Sequence, residues 1–147
     1  MKELEAISPI DGRYRKNTKP LADFFSESAL IKYRIIVEGE YLIALSEHKE
    51  LNVREFSEKE KQLIRNLYNL PVEKISIVND IEWKGYKDIK PTDHDFKAVE
   101  YFMKDQLSDT TLKDSLEWIH FALTSEDANN LAYGLMLGES QIGRAHV

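Results

Sequence analysis

Three short segments of this 147-residue chain carry side chains in combinations suited to holding an anion. The first is Ser8-Pro9-Ile10-Asp11-Gly12-Arg13-Tyr14. A turn built on Asp-Gly places Arg13 and Tyr14 side by side at its exit. There a guanidinium clamps a phosphate or carboxylate bidentately and a phenol adds a hydrogen bond. An ordinary turn with a surface arginine uses the same residues. The second segment, Thr92-Asp93-His94-Asp95-Phe96-Lys97, follows Pro91 and reads as a helix start with Thr92 as N-cap. His94 then sits at the positive end of a helix, where anionic ligands are attracted. The same residues also fit a plain first turn, with Asp93 and Asp95 complementing the dipole beside a surface histidine. The third, Thr124-Ser125-Glu126-Asp127, sets two hydroxyls beside free backbone N–H groups. That suits a carboxylate or phosphate, and equally a simple cap with Asp127 in the third helical position.

Helices must position these segments. From Ser26 to about His48 the spacing of Leu30, Tyr33, Val37, Tyr41 and Leu45 predicts a helix of some five turns, with Arg34, Glu38 and Glu40 on its wet side. Ser57-Glu58-Lys59-Glu60 is a capping box that opens a second helix through Leu63, Ile64 and Leu67, interrupted at Pro71. Val72, Ile75, Ile77, Val78 and Ile81 suit a short helix, and Trp83-Lys84-Gly85-Tyr86 a loop. The segment after Pro91 continues as a helix through Ala98, Val99, Tyr101, Phe102 and Met103. Thr111 with Asp114 opens another, striped by Leu112, Leu116 and Ile119. Thr124 starts the last, through Leu131, Leu135 and Met136. Pro9, Asp11-Gly12 and Pro20 make residues 1–25 an irregular arm. With no two-residue alternation, the fold class is all-α. The domain division expected is an N-terminal helical domain over 1–110 and the start of a central helical bundle over 111–140.

Composition narrows the classes. The chain is 42% hydrophobic and 31% charged, has no cysteine and carries a net charge of −6. Thiolate metal sites and disulfides are therefore excluded. Without a basic stripe, a nucleic-acid or anionic-membrane surface is not expected, nor is a membrane span. No pair of histidines stands at metal-ligand spacing with a third donor, so no metal is proposed. His120 reads as a core histidine and His48 as a helix-end cation. The start, Met-Lys-Glu-Leu-Glu-Ala-Ile, lacks a signal-peptide run, which makes the cytoplasm the default compartment. The tail Gln141-Ile142-Gly143-Arg144-Ala145-His146-Val147 back-translates from Ile142 as ATC GGA AGA GCA CAC GTC, like the inner part of a short-read sequencing adapter. Residues 141–147 are accordingly read as adapter translation, and the frame as truncated near Ser140.

Taken together and in order, Ser-Pro-Ile-Asp-Gly-Arg-Tyr, Asp-His-Asp-Phe-Lys-Ala-Val-Glu-Tyr-Phe and Ile-His-Phe-Ala-Leu-Thr-Ser-Glu-Asp-Ala-Asn-Asn resemble the N-terminal third of the adenylosuccinate lyase family, within the fumarase/aspartase superfamily. The resemblance implies β-elimination of fumarate from adenylosuccinate and from the succinyl-carboxamide imidazole ribotide of purine synthesis. It also implies no metal or organic cofactor, and a homotetramer with active sites drawn from three chains. Substrate-binding roles carry over to Arg13, Tyr14, Asp93, His94, Asp95, Thr124 and Ser125. At Asp93 the resemblance expects Asn, and an ionised carboxylate there accepts only and repels a polyanion. The family's catalytic serine and histidine segments, Gly-Ser-Ser-x-Met-Pro-x-Lys and Thr-His-x-Gln-Pro, do not occur in these residues. No catalytic residue is assigned, and the chain alone is expected to be inactive. The competing reading is a non-catalytic helical module that binds nucleotides or partner helices. A lyase of the same superfamily acting on argininosuccinate or fumarate is a third, which the Asp-Gly-Arg-Tyr arm disfavours.

Overall fold

The computed structural model describes residues 3–144, with side chains described from Leu4 to Gln141. Eight α-helices follow in order: α1 (Arg15–Thr18), α2 (Ala22–Phe25), α3 (Glu27–Glu47), α4 (Glu58–Asn66), α5 (Val72–Ile75), α6 (Ile77–Trp83), α7 (Asp95–Leu107) and α8 (Ser125–Arg144). A single isolated bridge, Tyr86 to Ile89, is the extent of β pairing among the described residues. The fold is all-α. Part of the segment read as adapter translation, Ala145–Val147, lies outside the described residues.

Helix α3 is the axis of the fold. Ser26 caps its start, the hydroxyl accepting the Ala29 N–H, and His48 closes it. One side of α3 (Ile31, Ile35, Leu42, Ile43) joins Ile64, Ile81, Val99 and Phe102 in the larger core. The other side (Ala29, Tyr33, Val37) joins Phe96, Ala128, Ala132 and Met136 in a second core. A helix apolar on two sides leaves little wet face. This corrects one expectation: Arg34 and Glu38, placed above on the solvent side, are 3% and 0% exposed. Only Glu40 of the three is exposed, where it pairs with Arg65 at 2.8 Å.

The Ser57 capping box forms as the sequence predicts, with both reciprocal bonds present. Glu60 itself is buried. Its carboxylate is buried against Arg54 at 2.7 Å. The stretch after Pro71 makes two short helices broken at Ser76, and Trp83 ends the second instead of starting a loop. The helix expected from Thr111 is absent. Residues 108–122 are turns with one 3-10 turn, Leu116–Trp118. Tertiary bonds override the local pattern here: Arg54 takes the Thr111 carbonyl at 2.8 Å and the Asp114 carboxylate at 2.8 Å. The hydroxyl of Thr110 bonds the Leu107 carbonyl at 2.7 Å and accepts the Leu112 N–H at 3.1 Å.

Helix α8 packs along α3 through Ala128 and Ala132, both fully buried. Leu131 and Leu135 of the same helix are 58% and 39% exposed.

Two outcomes follow from this packing. An added Cβ at Gly39 would collide with the Tyr68 hydroxyl and lie 2.8 Å from Ile64 Cγ2. Gly39→Ala should therefore lower stability by about 1–3 kcal/mol in urea unfolding, overriding the gain of about 1 kcal/mol that alanine brings to an open helix. Hydrogen bonds from Arg54, opposed by burial and helped by Ser57, hold the Glu60 carboxyl down at about 2. Folding thus favours its ionised form. The stability this contributes is whole above the ordinary glutamate range and is lost as pH falls through that range towards 2. Glu60→Gln should flatten the decline of the urea midpoint in that acid window and leave its slope at neutral pH unchanged.

Candidate functional site

The segments around His94 and Thr124 are built onto one face of α3. Arg34, Glu38 and Tyr41 stand four and three residues apart, so they share that face. Arg34 reaches Asp95 Oδ2 at 2.7 Å and Asn129 Oδ1 at 2.9 Å, and its guanidinium lies 5.3 Å from the centre of the Phe96 ring. One buried cation thereby ties the first turn of α7 to the second turn of α8. Its Nη1 is buried without a hydrogen-bond partner among the described residues. Glu38 accepts the backbone N–H of His120 at 3.0 Å and lies 2.6 Å from His120 Nδ1. Tyr41 donates its hydroxyl to the Phe121 carbonyl at 3.0 Å. The polar face of α3 therefore fixes both helix starts and the connector between them.

At α7 the cap is His94, not Thr92, a second correction. Asp93 lies in the left-handed region at φ +48°, which ends any helical run from Thr92. The Asp93 N–H instead bonds the Glu82 carbonyl at 3.1 Å, and the Thr92 hydroxyl donates to the His94 carbonyl at 3.0 Å. His94 Nδ1 accepts the Lys97 N–H at 3.2 Å, and Asp95 Oδ1 accepts the Phe96 N–H at 2.7 Å. Left-handed backbone is tolerated by Asp and Asn, which explains why a short polar residue stands at Asp93. Both His94 and Asp95 side chains are about half exposed, at 54% and 47%. Burial works to raise the Asp95 carboxyl. The hydrogen bond and charge of Arg34, with the Phe96 N–H, outweigh it, so the net effect is to lower it.

At α8, Thr124 and Asp127 cap reciprocally. The Thr124 hydroxyl accepts the Asp127 N–H at 3.3 Å and donates to Asp127 Oδ2, which also takes the Thr124 N–H, both at 2.8 Å. The threonine hydroxyl is therefore engaged in the cap. Ser125 is half-buried beside it.

Arg13 and Tyr14 stand apart. Their turn closes on bonds from Asp11 and Gly12 to the Ser8 carbonyl. Arg13 lies over the Tyr14 ring at 5.5 Å, while Asp11 pairs with Arg15 at 2.7 Å. Among the described residues no hydrogen bond or ion pair ties Arg13 or Tyr14 to His94, Asp95, Thr124 or Ser125. Side-chain bonds thus join two of the three segments, and none among the described residues reaches Arg13 or Tyr14 from them.

Sequence reasoning missed Arg34, Glu38, His120 and Asn129. His120 is held at φ +62° with Ala122 at +57°, and its ring packs on Phe96 at 4.9 Å. Two left-handed residues in three, neither of them glycine, mark a connector whose shape is imposed by its surroundings. A groove of about 600 Å³ between α3 and α8 is a different place. It is lined by Ile36, Val37, Tyr41, Leu131 and Leu135 among others and suits an apolar surface. Among the described residues no cluster of three or more metal-ligating side chains occurs. No described helix is long and apolar enough to cross a membrane.

The hub gives a direct test. Arg34→Met would strand Asp95 and Asn129 without their shared partner. Removing one member of a buried pair costs about 3–5 kcal/mol, and the half-exposed Asp95 reduces that here to about 2–3 kcal/mol. Urea unfolding should show that loss. A change under about 0.5 kcal/mol would mean the pair holds nothing together.

No protein-family model matches the chain. Over 140 residues, 93% of its length, it is 41% identical to adenylosuccinate lyase of Legionella pneumophila (strain Corby). It is 43% identical over 146 residues to that of Dictyostelium discoideum and 37% identical over 140 residues to that of Escherichia coli (strain K12). These stretches make up 29%, 30% and 29% of the three relatives. By sequence, then, the chain matches a part of adenylosuccinate lyase, under a third of its length.

Proposed function

We propose that the chain is the substrate-binding portion of an adenylosuccinate lyase, which eliminates fumarate from adenylosuccinate to give AMP and from succinyl-aminoimidazole-carboxamide ribotide. The observation that carries the reading is the Arg34 hub. It brings His94 and Asp95 into one framework with the Thr124-Ser125 start of α8, two of the three segments whose wording matches the family. In this reading Arg13, Tyr14, Asp93, His94, Asp95, Thr124 and Ser125 meet the substrate. Arg13 and Tyr14 serve from an arm that no hydrogen bond or ion pair among the described residues ties to the others.

Residues 1–110 form the helical N-terminal domain, and 111–140 begin a central bundle. The exposed Leu131, Tyr133, Leu135 and Leu137 of α8 fit that assignment, since an apolar outer face suits a helix that other helices surround. The whole enzyme is a homotetramer. The 147-residue chain is inactive, because it lacks the base and acid segments, each contributing about 10²–10⁴-fold.

The test is a chimera in which residues 1–140 replace the matching stretch of the Escherichia coli relative. It should release fumarate from adenylosuccinate, and the chain by itself should release none above background. A chimera that folds and assembles like the parent enzyme yet yields no fumarate would overturn the proposal.

A further inference from the structure

A fully buried carboxylate needs a reason, and that of Glu38 spends both oxygens on one residue, His120. Oε2 takes the backbone N–H at 3.0 Å and Oε1 faces Nδ1 at 2.6 Å. The backbone bond fixes where the residue stands, at φ +62°. The ring bond fixes how the imidazole is turned, with Phe96 packed on its face at 4.9 Å. An imidazole held at Nδ1 presents its other nitrogen away from the holder, and its tautomer is set by that second-side bond.

We infer that Glu38 is a positioning residue: its carboxylate fixes His120 as the Nδ1–H tautomer and leaves Nε2 as the one ring nitrogen able to accept from, or pass a proton to, a bound ligand. His120 lies four residues before Thr124 in the connector that leads into α8, so the ring belongs to the same framework as His94 and Thr124. Glu38 from α3 and Phe96 from α7 stand against it, with Arg34 on Phe96 and Glu100 near enough to Glu38 to raise its carboxyl; Asp127 of α8, its carboxyl lowered chiefly by the Thr124 cap, also feels His120. Burial pushes the Glu38 carboxyl up and outweighs the two bonds to His120 that pull it down, so the net effect is to raise it. The pair is a carboxylate–imidazole dyad of the kind that holds a proton-transferring histidine in one orientation. What Nε2 meets rests on the function proposed above. How the ring is held does not.

The test is the imidazole nitrogen spectrum of the ¹⁵N-labelled 147-residue chain at pH 8, with His120 assigned by the signal lost in His120→Asn. The expected pattern is a protonated Nδ1 and a bare Nε2. In Glu38→Gln the amide oxygen stays with the backbone N–H, which cannot change role, and the NH2 faces Nδ1, so the tautomer should invert. A wild-type spectrum with the proton on Nε2, meaning that Glu38 is the donor, would overturn the inference. So would a folded Glu38→Gln chain with His120 unchanged. The wild-type spectrum decides even where the variant fails to fold. Adding AMP to the same sample addresses the other question: absent shifts at the Lys97 and Thr124 amides would count against the ligand class and leave the tautomer result standing.

Discussion

A buried guanidinium organises this molecule. Moving a cation out of water costs several kcal/mol unless it is paired and hydrogen-bonded, so Arg34 constrains whatever surrounds it. Its partners come from two other helices: Asp95 opens α7 and Asn129 lies one turn into α8. Phe96 adds its ring face, a favourable surface for a weakly hydrated cation. Neither helix can slide along α3 without leaving the charge short of a partner. The small residues Ala128 and Ala132 let α8 come close enough for Asn129 to reach. Register between the two helix starts is thus set by a polar contact, and the apolar second core fills in around it.

The same face of α3 carries the cost of the connector. Left-handed backbone disfavours residues with a Cβ by about 1–2 kcal/mol each, and both His120 and Ala122 adopt it. The two bonds from Glu38 to His120 and the bond from Tyr41 to Phe121 oppose that cost at neighbouring residues. Strain held in place by buried polar bonds differs from slack. It presents one ring orientation and one entry angle into α8.

Much of the fold was legible because its boundaries are written in local chemistry. Ser26, the Ser57–Glu60 box and Thr124 with Asp127 each announce a helix start by a side chain that bonds its own first turn, and all three form. The hub was not legible for a reason rooted in period. Assigning Arg34 and Glu38 to solvent assumes that a helix has one wet face, and α3 is enclosed by two cores. Thr111 failed as a helix start because Arg54, distant in sequence, takes the carbonyl and carboxylate that the helix reading relied on. Thr92 failed because Asp93 turns left-handed and passes the cap to His94. The candidate segments stood out by residue type and wording, while the residues that join two of them became visible only in three dimensions.

Charge balance says what this framework does and does not provide. Arg34 is answered by Asp95, and Glu38 faces His120. Asp93 stays exposed, and Glu126 with Asp127 occupies the first turn of α8. The two helix starts therefore gather more carboxylates than fixed cations, and several of their N–H groups are taken by His94, Asp95 and Thr124. A polyanion does not bind such a surface by attraction alone, because like charges near one another raise the cost of each. Arg34 makes Asp95 tolerable there by neutralising it, and a polyanion at these helix starts would need countercharge from other elements. Under the function proposed above, these residues would supply the shape and hydrogen-bond geometry of the site, and the positive potential that holds a nucleotide would be a separate contribution.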